Sequence, residues 1–267
     1  MLIDEYLAQV RQGELQSIRP GWGQGRTTFG GLVAALLLEN LASEVEASNL
    51  LRSISVNFCG PLLINEPFQL ARQVLSKGKS ISQLNSQAIQ AGNVVTQLTA
   101  CYGIERASDI EVEASKVELG KPGEGTLIPF IPGITPEFIE HVEMRVNRGG
   151  LPFTKSKSTE LAGWVRLRNL TGAVRDPHLL AIVDSWPPVV LQLLAKPCPS
   201  ASVSWSMEIC QPLSLLQSEV LADDWLYYDA VVEQAHHGYA HTVARIYHSD
   251  GTLIALSRQL IAVYDRR

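Results

Sequence analysis

The chain repeats itself, and that repeat restricts what it can fold into more than any other feature. Ser53-Ile-Ser-Val-Asn-Phe-Cys-Gly-Pro-Leu62 aligns without a gap on Ser204-Trp-Ser-Met-Glu-Ile-Cys-Gln-Pro-Leu213, 151 residues further on, matching at both serines, the cysteine, the proline and the leucine. Similarity at a fixed offset signals two copies of one structural unit. Upstream of the first copy lies Phe29-Gly-Gly-Leu-Val-Ala-Ala-Leu-Leu-Leu-Glu-Asn-Leu41, and upstream of the second lies the stretch His178–Leu194. Both are apolar nearly all round, which for a helix means burial on nearly every side. Downstream of each come strand-like runs broken at Lys77-Gly78-Lys79 and Ala91-Gly92-Asn93 in one half, and at His237-Gly238 and Asp250-Gly251 in the other. Such dipeptides between alternating runs mark hairpins.

A helix with no polar face cannot rest on the outside of a sheet in water, so the strands must curl round it. The expected fold class is therefore α+β, a double hotdog: two tandem hotdog domains, each an antiparallel sheet wrapped round a central helix. Expected boundaries are 1–107 for the N-terminal hotdog, 108–136 for a linker and covering loop, and 137–267 for the C-terminal hotdog. Glu111, Glu113, Lys116, Glu118 and Lys121 make the first part of the linker a solvated crossing.

Charge and composition exclude several classes. With 22 Lys+Arg against 27 Asp+Glu the chain carries a formal charge of −5, and its basic residues are scattered, so it lacks the basic stripe of a nucleic-acid binder. No apolar run approaches the ~20 residues that a bilayer requires. Residues 1–12 have neither the basic start nor the apolar stretch of a signal peptide, which gives the expectation of a cytoplasmic protein with no membrane span. Cys59, Cys101, Cys198 and Cys210 are far apart, with no CxxC pair, so the expectation is buried free thiols and no metal site.

A few side chains stand out against this background. Asp184 is the one charge between Asp176 and Lys196, and a carboxylate in apolar surroundings is costly unless hydrogen-bonded or used; Asp184-Ser185-Trp186-Pro187 equally reads as a helix N-cap. Gln259 falls on the apolar face of the last strand-like run, where an amide needs partners, so a structural hydrogen bond would also explain it. Ser202 begins the run to Cys210, whose alternate positions are polar or small, and the pattern does not decide which way it faces. No GxSxG elbow surrounds it. Gly21, Gly23, Gly25, Gly30 and Gly31 precede the first buried helix without a phosphate-binding fingerprint; they suit close approach of backbone amides or simply tight packing. Asp176 and His178, at the start of the second apolar stretch, fit either helix capping or hydratase-type acid–base chemistry.

Taken together, Trp164-Val-Arg-Leu-Arg168, Asp184-Ser-Trp-Pro-Pro188, Gly238-Tyr-Ala-His241, Asp250-Gly-Thr-Leu-Ile-Ala-Leu-Ser-Arg-Gln259, and Phe29-Gly30-Gly31 with 51–61 resemble the TesB-like acyl-CoA thioesterase (thioesterase II) family of double hotdogs. The resemblance covers nearly the whole chain and is poorest in the linker. It implies hydrolysis of acyl-CoA to free fatty acid and CoA, a place in fatty acid metabolism, no cofactor, and a homo-oligomer. It places the family's catalytic Asp, hydroxyl and amide on Asp184, Ser202 and Gln259, the hydroxyl being Ser where a Thr is usual. Backbone amides near Gly30 and Gly31 would form the oxyanion site, in a site shared between the halves. Arg26, Lys77 or Lys79 would stand outside for the nucleotide. Two alternatives remain at this level: a non-catalytic acyl or acyl-CoA binder, and a hydratase or dehydratase resting on Asp176 and His178.

Overall fold

The computed structural model describes residues 1–266. An N-terminal helix α1 (Ile3–Gln12) is followed by a two-residue hairpin, β1 (Gly23–Gln24) and β2 (Thr27–Thr28), and then by the first central helix α2 (Gly30–Glu39). Strands β3 (Leu50–Phe58), β4 (Phe68–Lys77), β5 (Ile81–Gln90) and β6 (Asn93–Gly103) complete the first half. After the linker with its short β7 (Thr126–Leu127), the second half runs β8 (Val142–Arg148), β9 (Glu160–Leu167), the second central helix α3 (Asp176–Asp184), β10 (Ser200–Ile209), β11 (Leu226–His236), β12 (Tyr239–His248) and β13 (Leu253–Val263). The turns expected at Gly78, Gly92, Gly238 and Gly251 join these strands as hairpins.

The two halves share one continuous antiparallel sheet of eleven strands, ordered β4-β5-β6-β3-β10-β13-β12-β11-β9-β8-β7. Its seam is the pairing of β3 with β10, the two copies of the repeat, with Ser55 opposite Ser206. Those two serines are also equivalent under the 151-residue offset, so the repeats meet about a local two-fold axis at their own shared position. Each half curls its strands round its own helix. In α2 every residue from Gly31 to Glu39 is buried, and in α3 every residue from Pro177 to Val183.

The helices lie antiparallel against each other. Gly30 and Gly31 at the start of α2 meet Asp184 at the end of α3, while Glu39 at the end of α2 ion-pairs with Arg175, just before α3. Two departures from the sequence reading follow from turn geometry. The second apolar stretch breaks after Asp184 at Pro187 and Pro188 and resumes only as a 3₁₀ turn over Val189–Leu193, so Asp184 closes a helix and caps none. The cysteines are unpaired but not buried: Cys59 and Cys210 are exposed because each sits where a seam strand ends in a proline-containing turn. No helix among the described residues is long and apolar enough to cross a membrane.

Because Leu36 is fully enclosed in α2, Leu36→Ala should lower unfolding free energy by about 2–5 kcal/mol. Urea denaturation, with the transition midpoint as readout, measures this.

Candidate active site

Asp184 is placed by three constraints. It ends α3, it faces the N-terminus of α2, and β13 passes beside it. The side-chain Nε2 of Gln259 donates to Asp184 Oδ1 at 2.7 Å, and the backbone N–H of Gly31 lies close enough to the same carboxylate to favour its ionised form. A Cβ built on Gly30 would lie 2.9 Å from Asp184 Oδ2, and one on Gly31 2.4 Å from the Phe29 ring and 3.0 Å from Asp184 Cβ. Glycine is needed at both positions for close approach, not for unusual backbone angles. Burial pushes the Asp184 carboxyl up to about 7, even though the Gln259 amide and Gly31 N–H both favour its ionised form. Desolvation therefore outweighs two donors. The positive end of the α2 dipole adds to the favourable side, and the group stays partly open to a cavity.

That cavity, about 330 Å³, is walled by both halves: Thr28, Gly30, Val33 and Phe58 from the first, Asp184 and Ser202 from the second. Ser202 reaches it through a β-bulge. Along β10, Trp205 stands opposite Gln259 and Met207 opposite Ser257 on the inner face, and strict alternation would turn Ser202 outward. The register slips between Ser202 and Ser204, however, so Ser202 faces Ile261, an inner-face residue, while Ser204 faces Leu260 on the outer surface. One extra residue, Val203, re-aims the hydroxyl.

The first half carries the same bulge. Its register slips between Leu51 and Ser53, leaving Arg52 where the second half has Val203. The repeat then makes Leu51 the counterpart of Ser202, and Ala100, opposite Ile54, the counterpart of Gln259, opposite Trp205. At the end of α2, Glu39 is held by Arg11 and Arg175. Two guanidiniums neutralise that carboxylate, whereas Asp184 meets only an amide and a backbone N–H. The polar constellation thus occurs once in the molecule, although its scaffold occurs twice.

Other expected positions are elsewhere. His178 is buried with both ring nitrogens engaged, Nδ1 accepting from the Arg175 N–H at 3.0 Å and Nε2 lying 3.0 Å from Asp4 Oδ1. Asp176, which burial pushes up to about 6, makes no hydrogen bond to it among the described residues, so the pair a hydratase would need is not assembled. Both lie at the end of α3 remote from Asp184. Lys77 ion-pairs with Glu46.

Two residues near the site escaped the sequence reading. Tyr228 on β11 stacks on Trp186 at 5.1 Å, and burial together with the neighbouring Asp184 pushes its phenol upward. Thr242 on β12 lies directly opposite Gln259, buried, its hydroxyl without a hydrogen-bond partner among the described residues. Their only sequence signal is inward parity on strands whose register was unknown.

Comparison with known proteins now bears on the geometry. Residues 18–103 match the acyl-CoA thioesterase N-terminal domain family and residues 120–263 the acyl-CoA thioesterase C-terminal domain family. The chain belongs to the acyl-CoA thioesterase family. It is accordingly a thioester hydrolase by family. Among solved structures, a hot dog fold protein of unknown function from Alicyclobacillus acidocaldarius superposes with a TM-score of 0.81 at 23% identity, over 94% of this chain and 92% of that one. The acyl-CoA thioesterase II TesB2 of Mycobacterium marinum gives 0.70 at 21% identity, over 90% of each chain. The tesB protein of Mycobacterium avium subs paratuberculosis gives 0.67 at 15%, over 98% and 99%. At these identities the structures speak to the fold. No curated protein matches the chain.

In this thioesterase the raised Asp184 pKa carries a linkage consequence. A carboxyl favoured neutral in the fold but ionised when unfolded costs nothing below its unfolded value near 4, and costs progressively more as pH rises to its folded value near 7. Asp184→Asn should therefore gain stability over the wild type across pH 4 to 7 and level off above, at about 2–4 kcal/mol. Denaturant titrations at a series of pH values would read this, and a difference independent of pH would contradict it.

Proposed function

We propose that this protein hydrolyses acyl-CoA to free fatty acid and CoA by a water that Asp184 deprotonates. The observation that supports this best is a carboxylate at the end of a buried helix with no cationic partner among the described residues, held by Gln259, favoured by the Gly31 N–H and open to a cavity lined by Ser202. A base whose pKa lies near neutrality combines adequate ionisation with adequate proton affinity. Gln259, bonded to Oδ1, fixes one carboxylate oxygen and leaves the other for water. Ser202 supplies a hydroxyl that both donates and accepts, orienting that water towards the thioester carbon.

As water attacks, its proton passes to Asp184 and negative charge collects on the thioester oxygen. Gly31 N–H already serves Asp184, so within this reading the developing oxyanion takes the neighbouring amide of Gly30 and the positive end of α2. This refines the expectation that both glycine amides would face the oxyanion. The C–S bond then breaks, CoA leaves as the thiolate or takes the proton from Asp184, and the fatty acid departs. Val33 and Phe58 give the acyl group apolar wall. The enzyme works as a homo-oligomer and needs no cofactor in this scheme.

Thiol release from a panel of acyl-CoA substrates tests the proposal. Asp184→Asn should lower kcat by about 10³-fold or more, and Ser202→Ala and Gln259→Ala by roughly 10–10²-fold each. In the wild type, log kcat/KM should fall below a midpoint near pH 7, the value of Asp184. Equal release by wild type and Asp184→Asn would remove the base mechanism, and negligible release by both would favour a binder.

A second test uses the bulge. Deleting Val203 should restore strict alternation to the end of β10, turn Ser202 outward and reduce kcat about as far as Ser202→Ala does. A deletion variant that keeps wild-type turnover would show that the bulge does not aim the hydroxyl.

A further inference from the structure

The glycine-rich stretch before α2 is tied down by the second half of the molecule. Glu137 Oε2 accepts the backbone N–H of Gly21 at 2.8 Å and of Gly23 at 3.2 Å. A Cβ at Gly23 would come within 2.8 Å of that same oxygen, so a side chain there would displace the carboxylate from this seat. Four residues on, His141 Nε2 donates to the Gly21 carbonyl at 3.0 Å, and its ring stacks on Trp22 at 4.1 Å with the planes 5° apart. Burial holds this imidazole below its ordinary value, which keeps it neutral, with the proton on Nε2, at pH 7. Between them Phe138 stacks on Phe29 at 4.0 Å. One five-residue 3₁₀ turn, Glu137–His141, therefore grips the Gly21–Gly23 segment and Phe29 through three side chains.

The grip leads directly to the site. Trp22, between the two glycines whose amides Glu137 takes, accepts the N–H of Phe29 on its carbonyl at 2.9 Å. Phe29 is the N-cap of α2, and its own carbonyl accepts the N–H of Val33. Gly30 and Gly31 follow, with Asp184 packed against both. The links are hydrogen bonds, ring contacts and chain continuity between adjacent groups, so the loop and the helix end form one contiguous path.

We infer that Glu137 is a positioning residue, whose carboxylate acts through the Gly21–Gly23 segment and Phe29 to fix where the first amides of α2 point. The inference rests on the reading of Asp184 as the base, but it is tested by a property of Asp184 that exists whether or not turnover is seen. If the α2 terminus loosens, the Gly31 N–H moves away from the carboxylate packed against it and the ionised form of Asp184 loses a favourable neighbour.

The experiment compares Glu137→Ala, which removes the acceptor, with Glu137→Gln, which removes the charge but keeps an acceptor oxygen. Glu137 is exposed, so both variants should fold, and thermal melts verify it. The midpoint of Asp184, followed by carboxyl ¹³C NMR, should rise by about half a pH unit or more in Glu137→Ala. In Glu137→Gln it should stay or fall slightly, since losing a negative charge alone can only favour ionisation. On acyl-CoA substrates kcat should drop about 5–10-fold in Glu137→Ala, with KM within about twofold, and return to near wild type in Glu137→Gln. An unmoved Asp184 midpoint in Glu137→Ala overturns the inference whatever the rate does, as does an equal rise in both variants. Absence of thiol release by the wild type would instead remove the hydrolytic reading and leave the titration to decide the positioning role.

Discussion

Everything at the site follows from two apolar helices lying antiparallel in the middle of one sheet. Antiparallel packing sets the N-terminus of α2 against the C-terminus of α3, so an end rich in unsatisfied amide N–H groups meets a carboxylate. Neither helix could make this environment alone. At the end of its own helix Asp184 faces carbonyl oxygens, which disfavour its charge, and the amides that compensate come from the other half of the chain. Small residues at Gly30 and Gly31 let the two ends touch, and any side chain there would push the carboxylate away from its donors.

The same packing acts at the opposite end of the helix pair, with a different outcome. There Glu39 is clamped between Arg11 and Arg175, and Pro177 in the first turn of α3 removes one of the amides that α2 retains. That carboxylate is held by its two partners, which suits a structural joint between α1, α2 and α3. Asp184, without a cation, is left with a pKa near neutrality and an opening to the cavity. The duplicated architecture thus ends in an ion-paired carboxylate on one side and in a carboxylate open to a cavity on the other. The seam strands carry the same distinction, with Leu51 and Ala100 apolar where Ser202 and Gln259 are polar.

A site made from two halves also has to be held across them. The linker enters the second half through the turn Glu137–His141, and it is this turn that presses on the segment leading into α2. The second half is therefore more than tethered to the first: its opening turn packs on the first half's helix cap. Nearer its start the linker is fixed differently, by Lys116 pairing with Asp250 and by the Val117 N–H bonded to the Gly251 carbonyl.

Much of this was legible in the residues themselves. The repeat, the two all-round apolar stretches and the turn dipeptides specify two helices wrapped by antiparallel strands, because burial and turn chemistry are local properties of composition. Asp184 and Gln259 were legible for a related reason: a charge in an apolar stretch and an amide on an apolar strand face each violate a local pattern. What the sequence could not determine depends on register and on long-range contact. Whether Ser202 faces in or out turns on a one-residue slip opposite β13, and Tyr228 and Thr242 become neighbours of the site only once β11, β12 and β13 are paired. The exposure of Cys59 and Cys210 depends on where the seam strands stop. The grip of Glu137 on Gly21 and Gly23 joins residues more than a hundred positions apart. By itself the sequence determined that two apolar helices are buried under antiparallel strands; the tertiary structure decided which side chains turn inward and which of them meet, because side-chain direction along a strand and the pairing of helix ends are fixed only when the whole sheet closes.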